Sequence, residues 1–446
     1  MIYLLKKLRP YMTRFHKIIE YGLYLVVFLL PWQARLILVQ GEMSGWPYEF
    51  STISLYAIDI LLLILLILNA SIKFFSSQKM NDNIKIPLVW WLIAIIELMT
   101  FVSLFIAVNK EVAIQAYLRL LLGIGLFWLV VSVAYNRGRL MNIFLVSSAI
   151  QAVFGIWQFL EQKAFASTWL GVAKHLPLDI GASVITTLDG SRWLRAYGGL
   201  DHPNIFGGLM AIALLVIINK IICRDEKKEK INYAIDFFGI CLLATGLFFS
   251  FSRAAWISFF FGLIIIGVVN FVQNKKRIEK VLLYIVLTLI LVFSSLIVQY
   301  KNLAIVRVTD STITESKSIN ERIASYEIAK ELLKEHWVLG VGAGNYGLKV
   351  KNKMPDLEYY AYQPTHNVYL LVLLEIGVFG FIFYISTLIY IAYTIIKRGD
   401  GYDLSFIVCL MTMFFFDHWW WSLHFGVLFF WLLLGISYIK SQFKLA

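Results

Sequence analysis

Three short polar motifs interrupt an otherwise apolar chain between Arg195 and Gly380. The first is Arg195-Ala-Tyr-Gly-Gly-Leu-Asp-His-Pro-Asn204, and the second is Phe251-Ser-Arg253-Ala-Ala-Trp256. The third is Thr365-His366-Asn367, followed after nine residues by Gly377 and then by Gly380. An arginine fork matches phosphate oxygens two at a time. A histidine takes up a proton near neutral pH. The free N–H groups at a helix start favour an anion. An anion site beside a base is the equipment of an enzyme, and a passive spanner has no use for it.

Each motif also has a plainer reading. Asp201 or His202 can cap the helix that Pro203 opens, with Arg195 an interfacial cation. Arg253 stands at a helix start, where the dipole opposes a cation by up to about 1 kcal/mol. An anionic partner or lipid headgroups would each account for it there. His366 heads an apolar helix and can be a base or a cap. At about 100° per residue, Gly377 and Gly380 fall near its face, where small residues permit close helix or lipid approach, while Glu375 points about 180° away. Glu375 is therefore a poor orienting partner for His366.

The elements that must hold these motifs are membrane helices. Hydrophobic residues make up 60% of the 446, mean hydropathy is +0.74, and apolar runs near 20 residues recur. That excludes an ordinary soluble domain. Twelve spans are expected, near 18–39, 53–75, 86–108, 112–135, 140–160, 203–222, 232–251, 254–273, 280–300, 366–396, 403–420 and 424–441. The first has no small-residue cleavage site and reads as a span rather than a signal peptide. The tenth run is too long for one vertical crossing, so its first turns project above the hydrocarbon or the helix tilts.

Basic residues orient the chain. With the N-terminus inside, 23 of the 40 Lys and Arg fall in cytoplasmic segments and the short outer segments hold almost none. Both termini then face the cytoplasm, and all three motifs face out. The net charge of +12 follows from this asymmetry and from attraction to anionic lipid, so no nucleic-acid partner is implied. The organisation is 1–160 with spans 1–5, an outer loop over 161–202, 203–300 with spans 6–9, a large outer loop over 301–365, and 366–446 with spans 10–12.

In the large loop, Ser318 to Glu321 is a capping box that opens a helix, with Ile323, Tyr326, Leu332 and Leu333 as its buried stripe. The following Gly340-Val-Gly342-Ala-Gly344-Asn345 follows a helix and has no βαβ unit around it, so a nucleotide loop is excluded. It reads as a tight turn for close approach to a ligand or another helix. Asp59 and Arg119 each lie some six or seven residues below the outer surface and are expected to pair, because unpaired charge at that depth is costly. Cys223, Cys241 and Cys409 have neither disulfide nor metal spacing. Six of the seven histidines fall on the outer side, yet no ligand spacing recommends a metal there, and no cofactor is expected.

At these motifs the chain resembles the O-antigen ligase family, which includes O-antigen polymerases and related oligosaccharide transferases. His366-Asn367 with Gly377 and Gly380 matches the family's H-N-x9-G-x-x-G pattern. Support comes from Arg195 with the glycines and His202 to Asn204, from Arg253 with Trp256, from Arg322 with the 340–345 run, and from the Asp417 and Trp-rich eleventh span. The likeness covers about 195–440. It implies an all-α, GT-C-like polytopic fold of about twelve transmembrane helices with the large outer loop between spans 9 and 10. It also implies a metal-independent glycosyltransferase of the bacterial cytoplasmic membrane, facing outward, in cell-surface polysaccharide or lipopolysaccharide biosynthesis.

By the same resemblance, the donor is a glycan on undecaprenyl diphosphate, and the acceptor is a glycan or a lipid A–core-like molecule. Arg195 and Arg253 would hold the diphosphate and His366 would activate the acceptor hydroxyl, the three forming the catalytic set. His202, Asn204, Arg322, Asn367, Gly377 and Gly380 would form the substrate-binding set. A polymerase of the same family is the alternative within the class. A lipid-linked oligosaccharide flippase is the rival outside it, but the charges gather at the outer boundary instead of lining a path through the bilayer.

Overall fold

The computed structural model describes residues 2–76, 86–224, 233–274, 276–309, 313–399 and 401–439. It is all-α apart from three short two-stranded ribbons in the loops between helices. The first helices are α1 (Ile2–Leu29), α2 (Ala57–Ser76), α3 (Leu88–Ser103), α4 (Lys110–Ser132) and α5 (Arg137–Glu161). Then come α6 (Pro203–Cys223), α7 (Tyr233–Phe249), α8 (Arg253–Gln273) and α9 (Lys276–Gln299). Outside these lie α10 (Lys301–Thr309), α11 (Ile313–His336) and α12 (Tyr346–Lys353). The chain closes with α13 (Val368–Lys397), α14 (Leu404–Met413), α15 (Trp419–Ser422) and α16 (His424–Ile439).

Among the described residues, seven of these helices are long and apolar enough to cross a membrane, namely α2, α4, α5, α6, α8, α9 and α13. Shorter apolar helices occupy Leu88–Ser103, Tyr233–Phe249, Gly401–Met413 and His424–Ile439. The first expected span ends at Leu29 instead of 39. Pro31 cannot continue the helix, and Arg35–Val39 instead pairs antiparallel with Ile53–Tyr56. The eleventh ends at Met413, and residues 414–418 turn into the short α15.

Helix α6 is the axis of the bundle. It carries apolar residues all round and is buried along nearly its whole length, the pattern of a helix enclosed by others. Helices α7 and α8 pack on it, α14 packs on α8, α16 on α4, and α13 on α3. Helix α9 presents most of its surface outward, where a bilayer would cover it. Because α6 is held from all sides, its first residues are a fixed platform, and His202 and Asn204 stand on that platform.

Helix α13 resolves the long tenth run in another way. Its 30 residues are broken at Gly377, whose φ of 72° lies in the left-handed region that favours glycine. The break frees backbone groups that the helix would otherwise pair, and residues 337–342 take them up. Val341 N donates to Leu374 O at 2.8 Å, Gly342 N to Glu375 O at 3.1 Å, and Val378 N to Trp337 O at 2.9 Å. A Cβ on Gly377 would lie 2.1 Å from Val338 O. The glycine run after α11 is thus a tight turn against another helix, one of the two roles its composition allowed.

Helix α11 differs from expectation at its start. It is already under way at Ile313, so Ser318 to Glu321 lies inside it, since residues 313–317 contain no Gly or Pro to stop the helix earlier. Its buried contacts are Ala329 and Leu332, while Ile323 and Tyr326 remain exposed. Asp59 and Arg119 do not pair. Asp59 Oδ1 lies 2.6 Å from His424 Nε2, whose ring stacks on Tyr56 at 3.7 Å, and Arg119 donates to Ser422 O at 3.0 Å. Asp59 thus has a hydrogen-bonding partner, but it is a histidine from α16.

Candidate active site

The site begins at the N-terminus of α6. His202 caps the helix, its Nδ1 accepting from Asn204 N at 3.1 Å, and Pro203 occupies the first turn, where its missing N–H is harmless. This cap aims the Asn204 amide across the platform. Asn204 Oδ1 accepts from Arg195 Nη2 at 2.7 Å, and Asn204 Nδ2 donates to Asp417 Oδ2 at 2.7 Å. Asp417 comes from the turn after α14, and its other oxygen faces His366 Nδ1 at 3.6 Å. A continuous polar line therefore runs from Arg195 through Asn204 and Asp417 to His366.

Arg195 is held on three sides. Besides Asn204, its Nε donates to Ser250 O at 2.7 Å and its Nη1 to Ser183 Oγ at 2.8 Å. Ser250 belongs to the turn between α7 and α8, in which Phe251 takes a positive φ of 45°. Two more guanidinium groups reach this turn. Arg307 of α10 donates from Nε to Phe251 O at 2.8 Å, and Arg253 Nη1 donates to Arg307 O at 3.4 Å. Ser252 caps α8, accepting from Ala255 N at 3.3 Å. Arg195, Arg253 and Arg307 thus gather round one turn, and a group of cations on a rigid loop is suited to a diphosphate.

On the other side of Asp417, His418 completes the cluster. Its ring centroid is 5.1 Å from that of His366, and its Nδ1 lies 2.7 Å from Ser422 Oγ. Arg322 of α11 is near enough to His418 to disfavour a positive charge on it. Burial pushes His418 down to about 3, against the pull of Asp417, and burial together with Arg195 pushes His202 down to about 3. Both rings are neutral at pH 7. Burial alone would raise the Asp417 carboxyl, but its contact with His366 and the surrounding imidazoles hold it well below the usual carboxylate range. The site therefore holds one fixed carboxylate among imidazoles, with guanidinium groups at its far edge.

The remaining residues of the expected set have other places. Asn367 caps α13, its side chain accepting from Leu370 N at 3.0 Å, so His366 just before it is not the cap. Gly377 lies at the break of α13, and a Cβ on Gly380 would meet the Ile376 side chain at 2.5 Å. Both glycines are used in packing, away from the polar line. Glu375 is turned from His366 as its helical phase requires, accepting from Gly344 N at 2.9 Å and Trp421 Nε1 at 2.8 Å. Sequence reasoning gave Asp417 only as part of the Trp-rich eleventh span and passed over Arg307. An acidic residue at the end of an apolar span was the available signal for Asp417, and nothing local distinguishes Arg307 from other loop cations.

His366, Asp417 and His418 also form a group whose metal-ligating atoms all lie within 4.8 Å of one another. Residue spacing gave no hint of it, because the three come from two separate turns brought together by α13 and α14.

Residues 238–385 match the family model described as O-antigen ligase. Over that stretch the chain is similar to the O-antigen ligase family. That match runs from α7 into α13, so it takes in Arg253, Arg307, Arg322, His366 and Asn367. Arg195, His202, Asn204 and Asp417 lie outside it, and the Arg195 bond to Ser250 O and the approach of Asp417 to His366 join them to the matched region. Comparison with curated proteins finds no match.

Proposed function

We propose that this protein is a membrane glycosyltransferase that moves a glycan from undecaprenyl diphosphate to an acceptor hydroxyl on the outer face of the bacterial cytoplasmic membrane. The observation that carries the reading is the line Arg195–Asn204–Asp417–His366, which ties a cation-rich turn to a carboxylate-backed histidine. The O-antigen ligase match over the neighbouring helices supplies the reaction class.

In this reading the acceptor oxygen attacks the anomeric carbon of the donor. The bond from that carbon to the phosphate oxygen breaks, and its electron pair leaves with the lipid diphosphate. Arg253 and Arg307 meet the growing negative charge together with Arg195, whose own orientation is fixed by Ser250, Ser183 and Asn204. Donors already in place where charge develops cost no reorganisation during the step. The acceptor proton passes to Nε2 of His366, with Nδ1–H directed at Asp417. The 3.6 Å separation is longer than a hydrogen bond and would have to tighten with substrate bound. No metal takes part in the proposed step.

The test is incubation of the purified protein with a defined undecaprenyl-diphosphate oligosaccharide and, separately, a lipid A–core-like acceptor or a second lipid-linked glycan. One added unit on the lipid A–core-like acceptor is the expected ligase product, and a ladder on the lipid-linked glycan would instead mark a polymerase. Unchanged donor with every acceptor would refute the transferase reading. Labelling of single cysteines placed at positions 170 and 317 from the outside tests the orientation.

A further inference from the structure

We propose that the His366, Asp417 and His418 cluster binds one zinc ion, and that the ion inhibits transfer. Zinc is held by imidazole nitrogen and carboxylate oxygen at about 2.0–2.2 Å, which at a tetrahedral angle puts neighbouring ligand atoms about 3.4 Å apart. His366 Nδ1 and Asp417 Oδ1 are already 3.6 Å apart. The ring nitrogen of His418 completes a group within 4.8 Å, so closing on an ion takes side-chain rotation of about an ångström. His366 Nδ1 is buried and has no hydrogen-bond partner, so an ion there displaces no existing bond. A zinc site also needs outer partners that fix its ligands. Asn204 holds the second oxygen of Asp417, and Ser422 holds His418.

Inhibition follows from the tautomer, and this half of the proposal rests on His366 being the base. Zinc on Nδ1 takes that lone pair and leaves the ring proton on Nε2. With its proton there, Nε2 can no longer accept one from the acceptor hydroxyl. Arg322 beside His418 opposes a second cation, so the site should be weaker than a structural zinc site.

The test uses the full-length protein in detergent, stripped with a chelator that is then removed, and equilibrium dialysis against zinc. About one zinc per chain should bind saturably. His366→Ala and His418→Gln should each weaken binding at least tenfold, while His336→Ala, outside the cluster, should not change it. Arg322→Gln should tighten it. Cobalt should give a visible absorption band that is lost in the same two variants, and size-exclusion profiles show whether they remain folded. No saturable binding, or binding that survives both His366→Ala and His418→Gln, would overturn the site. Activity that disappears on chelation and returns with zinc would overturn inhibition, since the ion would then be needed. Failure of transfer under all conditions leaves the zinc stoichiometry readable, so the two proposals fail separately.

Discussion

Asp417 faces His366 across the gap between α14 and α13 at 3.6 Å, whereas Glu375, carried on the helix that His366 precedes, is bonded to Gly344 and Trp421. The partner of the proposed base thus comes from another part of the chain. If Asp417 orients His366, Asp417→Asn should lower turnover by less than loss of the base itself, which is roughly 10²–10⁴-fold. Turnover close to wild type in Asp417→Asn would remove Asp417 as the orienting partner.

For His366 the structure narrows the choice between base and cap. Asn367 already satisfies the start of α13, so His366→Asn has no cap to preserve. His366→Ala and His366→Asn should both lose roughly 10²–10⁴-fold in turnover, with donor binding kept by the arginines. Transfer rates and donor affinities measured for both variants decide this. Near-normal transfer by His366→Asn would remove His366 as the base.

The parts of the site that were legible in the sequence are those whose partners are local. His202, Pro203 and Asn204 announce a helix start by their order, and Ser252 with Arg253 does the same for α8. Apolar stretches were visible because a bilayer demands about 20 apolar residues for each crossing, and seven of the described helices are long and apolar enough for one. The relations that join these pieces were hidden. Asp59 was expected to meet Arg119 because both lie at the same depth, yet depth does not tell which side a residue faces, and His424 on α16 faced Asp59. Gly377 and Gly380 suggested a face below His366, but the positive φ of Gly377 and the bonds of Leu374, Glu375 and Val378 around it depend on residues 337–342, from a separate loop. Arg307 joins the site only because α10 folds back on the turn at Phe251.

Arg253, Arg307 and Arg195 make different predictions because their contacts differ. Arg253→Lys keeps the charge and loses the planar fork, so a large loss of transfer with normal membrane insertion is expected. Arg307→Lys additionally loses the Nε bond to Phe251 O and should weaken donor binding and loosen the turn. Donor affinity and melting temperature in detergent separate the two effects. Donor affinity close to wild type in both Arg253→Lys and Arg195→Lys would rule out a diphosphate site at this turn.

Gly377→Ala should destabilise the protein without touching the polar line. A side chain there meets Val338 O at 2.1 Å and must hold a φ of 72°, so the cost should exceed about 1 kcal/mol. The expected result is a lower melting temperature and less protein in the membrane, with normal turnover per folded molecule. An Ala variant as stable as wild type would mean that α13 can close its break.

The buried imidazoles give the protein a pH-dependent stability whose sign can be worked out. His202 and His418 have folded-state values near 3, whereas an unfolded histidine titrates near 6.5. Between those values the unfolded chain binds the protons and the folded chain does not. Each histidine therefore contributes stability that is fully present above about 6.5 and is lost as pH falls toward 3. The slope is at most about 1.4 kcal/mol per pH unit for each. For His202 burial is the main cause and Arg195 adds to it, and protonation would also remove the Nδ1 lone pair that caps α6 through Asn204 N. His202→Asn keeps a capping side chain and removes the titration. Melting temperatures in detergent from pH 7.5 to 4.5 should fall for the wild type, and less steeply for His202→Asn and for His418→Gln. Equal slopes in all three proteins would mean that neither histidine is held neutral by the fold.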